Sequence, residues 1–293
     1  MAGLNIRIIK GYIAITKLKL VVLLFFTGFV SALIASSIYG FDWTEIALIS
    51  IAIILSVMGT NATTAYIDRE MDFVMSRTSR RPVPSGVINP PVRALIFGII
   101  LVICGVIIGA LTSYIASVFI FLGFIDSALI YNAVSKRRSP LNILFGAPAG
   151  GMPVLAGWIA ISNNRIDLVA VLMFILVIIW TPIHIWSLAY FYKEDYSRAG
   201  IPMLPSIWPA RKVFILIAAL NLLLVFFSVF IGIFFNLSIL YIVMSSVLGA
   251  AILILSVVLI SNNKKNTAWI LFKFSSPYLA IIFLLLLVEY LWI

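Results

Sequence analysis

Residues 61–86 read NATTAYIDREMDFVMSRTSRRPVPSG and close a long apolar stretch. Asp68 and Asp72 are four apart, so on a helix they share one face, with Thr64 about one turn earlier and Asn61 about two. Carboxylates stacked one turn apart repel each other unless something positive lies between them. A hard divalent cation suits them, because Mg²⁺ takes one or two carboxylates and completes its sphere with water and substrate phosphate. Arg77, Arg80 and Arg81 follow, in a segment that Pro82 and Pro84 keep from being helical. Guanidinium groups match phosphate oxygens as bidentate donors. Together these residues suggest an Mg²⁺–diphosphate site. The plainer reading is a solvated helix end followed by a positive topological signal.

A second acidic cluster ends the run WTPIHIWSLAYFYKEDYSRAGIPMLP, Trp180 to Pro205. Tyr192, Lys193, Glu194, Asp195 and Tyr196 stand at its mouth. Asp195 joins Asp68 and Asp72 as an expected metal ligand, and Lys193 and Arg77 as cations for a leaving diphosphate. Read alone, the cluster is an interfacial tyrosine belt with a solvated Lys–Glu pair. His184, the only histidine, lies about three helical turns deeper. An ionisable residue inside a span is a functional hypothesis by default. Three roles stand open for it: iron ligand, acid or base, and cap of a carbonyl freed by Pro182. Asp126 and Glu289 are intramembrane without a motif around them. A third polar segment, YNAVSKRRSPLN, brings Tyr131, Lys136, Arg137 and Arg138, which either close over an anion or fix topology.

The elements that must position these groups are apolar. Of the 293 residues, 63% are hydrophobic and only 10% charged, against about 25% charged in soluble domains. Every polar stretch falls short of the roughly 40 residues a small domain needs to fold alone. The sequence therefore predicts one all-α, integral-membrane domain over residues 1–293. A single cysteine and a single histidine exclude disulfides and multi-histidine metal clusters. The net charge of +10 sits in a few loops and reads as topology, with no support for nucleic-acid binding. The N-terminal segment reads as a short basic lead, with no cleavage site and no myristoylation signal.

A spanning helix needs about 20 apolar residues. Nine stretches qualify: 20–39, 45–66, 91–111, 113–133, 143–161, 167–189, 211–234, 236–260 and 269–292. With that count, all of the 20 basic residues except Arg165 and Lys273 fall on one side. This asymmetry puts the N-terminus in the cytoplasm and the C-terminus outside. Both acidic clusters then open toward the cytoplasm.

The stretches YIDREMDFVMSRTSRRPVPSG, YNAVSKRRSPLNILFGAPAGGMPVLAGW and TPIHIWSLAYFYKEDYSRAGIPMLP, together with nine spans, resemble the intramembrane UbiA-type prenyltransferases. Within them the chain resembles the protohaem IX farnesyltransferases (haem O synthases). The likeness covers nearly the whole chain. Thr64 stands where the superfamily's first motif carries Asn, leaving that role open between Thr64 and Asn61. Tyr192 and Tyr196 stand where the second motif carries two aspartates. The resemblance implies a UbiA-like bundle that transfers farnesyl from farnesyl diphosphate to a haem b vinyl group, with Mg²⁺ as cofactor. It implies aromatic walls for an allylic cation, for which Tyr131, Trp186, Tyr190 and Tyr192 qualify. It further implies a prokaryotic cell membrane, an active site facing the cytoplasm, surrounding lipid, and haem A synthase or terminal-oxidase assembly as partners. A UbiA-type enzyme with an aromatic-acid or glycerol-phosphate acceptor, and a transporter or haem carrier using Asp126 and Glu289 as an ion path, are the other classes the residues admit.

Overall fold

In lipid only a helix satisfies its own backbone hydrogen bonds, so each long apolar run closes into one. The computed structural model describes residues 2–292. A short helix α1 (Ala2–Ile15) precedes α2 (Leu18–Tyr39) and α3 (Trp43–Ile67), and α3 leads directly into α4 (Arg69–Val74). Then come α5 (Val92–Thr112), α6 (Tyr114–Ile125), α7 (Asn142–Ile161), α8 (Leu168–Phe191) and the short α9 (Lys193–Arg198) and α10 (Leu204–Ile207). The last three are α11 (Ala210–Phe234), α12 (Ile239–Asn262) and α13 (Lys265–Trp292). Beyond Ile125, α6 continues as a π-helical stretch, Asp126–Val134, and a 3₁₀ turn, Ser135–Arg137.

Among the described residues, nine helices are long and apolar enough to cross a membrane: α2, α3, α5, α6 with its extension, α7, α8, α11, α12 and α13. These are the nine predicted stretches, with ends displaced by a few residues. The apolar runs 91–133 and 211–260, each too long for one crossing, fold as the helix pairs α5–α6 and α11–α12. Ser113 separates α5 from α6 and caps α6 by accepting from Ala116 N at 3.1 Å. The α1 helix was not expected from its sequence, since a 14-residue segment with only Arg7 and Lys10 charged carries a weak local signal.

The main core runs through the bundle, with Trp158, Trp186, Tyr278 and Phe283 among its fully buried side chains, and two smaller apolar clusters lie beside it. Small residues let α3 and α5 approach closely. A Cβ added at Gly59 would lie 2.5 Å from the Gly98 carbonyl oxygen. Asp126 and Glu289 hold backbone. Asp126 accepts from Ala149 N at 2.8 Å, within an α7 that contains Pro148 and Pro153. Glu289 accepts from Ser238 N at 2.8 Å and from the Ser238 hydroxyl, at the start of α12.

Candidate functional site

Asp68 caps the end of α3 and Asp72 lies in α4, yet Asp72 N still donates to Asp68 O at 2.8 Å. The helical phase therefore survives the junction, and the two carboxylates share one face as their spacing predicts. Each is buried, at 5% exposure, and each holds a cation. Lys136 Nζ is 2.5 Å from Asp68 Oδ2 and also donates to Asn132 at 3.2 Å. Arg81 donates to both oxygens of Asp72, at 3.0 and 2.8 Å. Like charge one turn apart is thus offset by two side chains that the sequence assigned to phosphate.

A third cation stands behind them. Lys17, between α1 and α2, reaches Thr64 Oγ1 at 3.4 Å. Burial, and then the nearby Arg81, push its ammonium down from 10.5 to about 8, against the pull of Asp68 and Asp72. Its backbone is left-handed, with φ of 54°, which costs a non-glycine residue roughly 1 kcal/mol. Asn61 Nδ2 secures that turn by donating to the Thr16 carbonyl at 2.9 Å. The Asn61 and Thr64 side chains therefore hold Lys17 in place, and among the described residues neither side chain bonds to the aspartate carboxylates. Three cations around two carboxylates leave the mouth positive, an environment for an anion.

The second cluster is built differently. Asp195 accepts from Ser76 Oγ at 2.6 Å and from Arg77 N at 3.4 Å, and Arg198 lies 3.6 Å away. The Ser76 hydroxyl in particular holds the Asp195 carboxyl below the usual carboxylate range. Glu194 pairs with Lys265 at 2.6 Å on the surface. Among the described residues no three His, Cys, Asp or Glu side chains gather, so Asp195 is not brought together with Asp68 and Asp72 as the sequence reading placed it. The physical reason is that its oxygens already serve the 75–81 turn. The Arg77 guanidinium sits 5.1 Å from the Tyr192 ring centre, and Lys193 Nζ sits 5.2 Å from that of Tyr190. Arg80 is exposed. Arg137 donates to the Ile67 carbonyl at 2.9 Å and so closes the end of α3. Tyr196 is buried in α9.

Below the mouth lies an apolar cavity of about 240 Å³, or about 1120 Å³ with its open part included. Asn61 and Tyr131 belong both to its lining and to the mouth: Lys136 Nζ is 5.8 Å from the Tyr131 ring centre. Gly146 leaves room for that ring, since a Cβ there would stand 2.7 Å from it. Phe124, Trp180 and His184 line the deeper part, among residues of α2, α3 and α7. Of the expected aromatic wall only Tyr131 lines this cavity. Trp186 packs in the core, and the Tyr190 hydroxyl donates to the Asn263 carbonyl at 3.1 Å.

The donor set fits a hard cation. Asp68 Oδ1 is buried with no hydrogen-bond partner, a costly state for a carboxylate oxygen that a bound cation relieves. Lys17, Ser76, Asn132, Trp180 and Ser275 escaped the sequence reading. Only Lys17 carried any signal, a charge immediately before an apolar span, and that reads equally as topology.

Residues 23–286 match the model of the UbiA prenyltransferase family. The chain is 40% identical over 280 residues to a protoheme IX farnesyltransferase of Desulforudis audaxviator, covering 96% of this chain and 88% of the relative. It is 41% identical to the protein of that name from Thermoplasma volcanium, covering 97% and 98%. Among solved structures, a digeranylgeranylglyceryl phosphate synthase superposes with a TM-score of 0.80 at 20% identity, covering 98% of this chain and 99% of that one. A UbiA homologue from Archaeoglobus fulgidus bound to DMAPP and Mg²⁺ superposes with a TM-score of 0.69 at 14% identity, covering 93% and 98%.

Proposed function

The chain belongs to the UbiA prenyltransferase family, and from that premise we propose that it transfers the farnesyl group of farnesyl diphosphate to a vinyl group of haem b, with addition of water, giving haem O. It is an integral membrane prenyltransferase. One observation carries the finer reading: buried carboxylates and cations stand at the rim of an apolar cavity, with Asn61 and Tyr131 shared between the two.

Asp68 and Asp72 would hold Mg²⁺, which supplies charge neutralisation to the departing diphosphate. Arg77 and Lys193 add positive charge at the same mouth, Arg81 and Lys136 hold the carboxylates, Lys17 rests on the Thr64 hydroxyl, and these three cations can also turn to the phosphate oxygens. Asp195 positions the Arg77 turn through Ser76. The bond from the farnesyl C1 to oxygen breaks with its electron pair going to diphosphate. The vinyl π electrons form the new C–C bond, and water adds to the resulting cation with loss of one proton. Tyr131, Phe124 and Trp180 are the aromatic residues lining the cavity in which the allylic cation would form. Apolar walls keep out the water that would quench it early. Exposed basic residues such as Arg80 suit the haem propionates. The basic residues in the loops at this end support a mouth that faces the cytoplasm, and the proposed setting is the cell membrane of a prokaryote. An ion carrier is disfavoured because Asp126 and Glu289 each secure helix backbone.

The test is incubation of purified protein with haem b, farnesyl diphosphate and Mg²⁺, followed by mass spectrometry. Haem O is the expected product. Prenylation of an aromatic acid or glycerol phosphate in its place would overturn the acceptor assignment.

A further inference from the structure

The hydrogen bonds around His184 separate the roles its sequence left open. Nδ1 lies 2.8 Å from Ser275 Oγ, across on α13. A hydroxyl has one proton, and that of Ser275 goes to the Phe272 carbonyl at 2.8 Å. Ser275 Oγ therefore accepts from His184, which places the imidazole proton on Nδ1 and leaves the Nε2 lone pair bare. Among the described residues, the side-chain hydrogen bond of His184 runs through Nδ1, with the Phe272 backbone as a further acceptor beside the ring. His184 thus caps no carbonyl freed by Pro182.

The ring is also immobilised. Trp180 stacks on one side at 4.5 Å and Phe272 lies against it at 4.3 Å. Trp180 Nε1 donates to the Ser275 carbonyl at 2.7 Å, so one serine fixes both rings. His184 borders the cavity. A histidine that ligates a metal through one nitrogen characteristically donates its other N–H to a fixed acceptor, which sets the tautomer and the ring orientation. A bare nitrogen, in a low-polarity cavity and on a ring that cannot turn, is suited to a metal centre carried by an apolar ligand.

The geometry points to His184 Nε2 as an axial ligand of the iron in a metalloporphyrin, with Ser275 as the residue that positions it. This rests on the haem-acceptor reading above. Ligation anchors the macrocycle by its centre, so its peripheral substituents, not its iron, extend toward the mouth.

The experiment titrates the full-length protein, in nanodiscs, with ferric haem b and separately with metal-free protoporphyrin IX, without any prenyl diphosphate. Wild type should give a nitrogen-ligated Soret band and bind haem more tightly than the metal-free ring. His184→Ala should lose the band and the preference while still binding both porphyrins, and added imidazole should restore the band. Ser275→Ala, which keeps the ligand, should weaken haem binding by on the order of 10–100-fold and leave metal-free porphyrin binding unchanged. Equal affinity for the two porphyrins in wild type, or an unchanged band in His184→Ala, overturns the ligation and leaves the acceptor reading standing. Failure of wild type to bind either porphyrin overturns both.

Discussion

Asp68 with Asp72 and Glu194 with Asp195 are the same chemistry at the same end of the bundle, and they are differently used. The first pair sits buried over the cavity, held by two cations with a third behind them on Thr64, and keeps one carboxylate oxygen without a partner. In the second, Asp195 is engaged by a serine hydroxyl and a backbone N–H, and Glu194 pairs with Lys265 at the surface. Unused coordination capacity, more than the count of acidic groups, distinguishes a ligand site from a brace. It also accounts for the tyrosines at positions 192 and 196: a brace needs one carboxylate, and the helix around it can be aromatic.

The comparison breaks most readily at the first pair. Asp68→Asn or Asp72→Asn should lower turnover by on the order of a hundredfold or more, from several kcal/mol of lost charge stabilisation. The folded protein should remain in the membrane. Product formation followed by mass spectrometry checks this, and near-normal Mg²⁺-dependent activity would sink the assignment.

Asp195→Asn should do less, and differently. A lost hydrogen bond to a charged acceptor is worth roughly 1.5–3 kcal/mol, and here it loosens the turn that carries Arg77. The KM for farnesyl diphosphate should rise more than kcat falls, and Ser76→Ala should add little on top of it. A kcat loss as deep as that of Asp68→Asn would make Asp195 a ligand after all.

Arginines at the mouth sharpen the same contrast. Arg77→Ala should raise the KM for farnesyl diphosphate several-fold (roughly 1 kcal/mol), whereas Arg93, whose guanidinium donates to the Asn89 carbonyl at 2.8 Å, should be replaceable. Similar effects of Arg77→Ala and Arg93→Ala would reduce both to topological signals.

The smallest effect is on stability against pH. Lys17 belongs to the first cluster alone, and burial lowers its pKa from 10.5 to about 8. Between those values the unfolded chain binds a proton that the folded protein lacks, so unfolding free energy rises with pH there. Asp195, held below 3.8, gives the same sign of slope in the acid range: its contribution is complete above that value and fades on acidification through its lowered pKa. Thermal melts of Lys17→Met should lose the alkaline rise that wild type shows. Parallel curves would remove Lys17 from the buried cluster.

Much of this was legible from the chain. Apolar length set the helices, and the four-residue spacing of Asp68 and Asp72 set their shared face even across a helix junction. Partnerships were not legible. Lys17 meets Thr64 from 47 residues away and His184 meets Ser275 from 91. Neither periodicity nor charge pattern encodes which distant residue a side chain will reach. Arg137 and Arg81 show the same blindness from the other side, since a cation that closes a helix end or clamps a carboxylate looks, in sequence, like one awaiting phosphate.

The π-helical stretch from Asp126 to Val134 carries Tyr131 and leads directly to Lys136. Within it Asn132 Nδ2 donates to the Ser127 carbonyl at 2.7 Å. Such a stretch accommodates extra residue in the turn of an α-helix, and one residue corresponds to about 100° of rotation, since 3.6 residues complete a turn. The segment therefore acts as a phase shifter. Its length, more than its composition, decides whether the ammonium at its end faces the acidic pair or looks away. Substitutions that preserve length leave that phase intact. A one-residue deletion would rotate everything downstream and separate Lys136 from Asp68 without altering either residue.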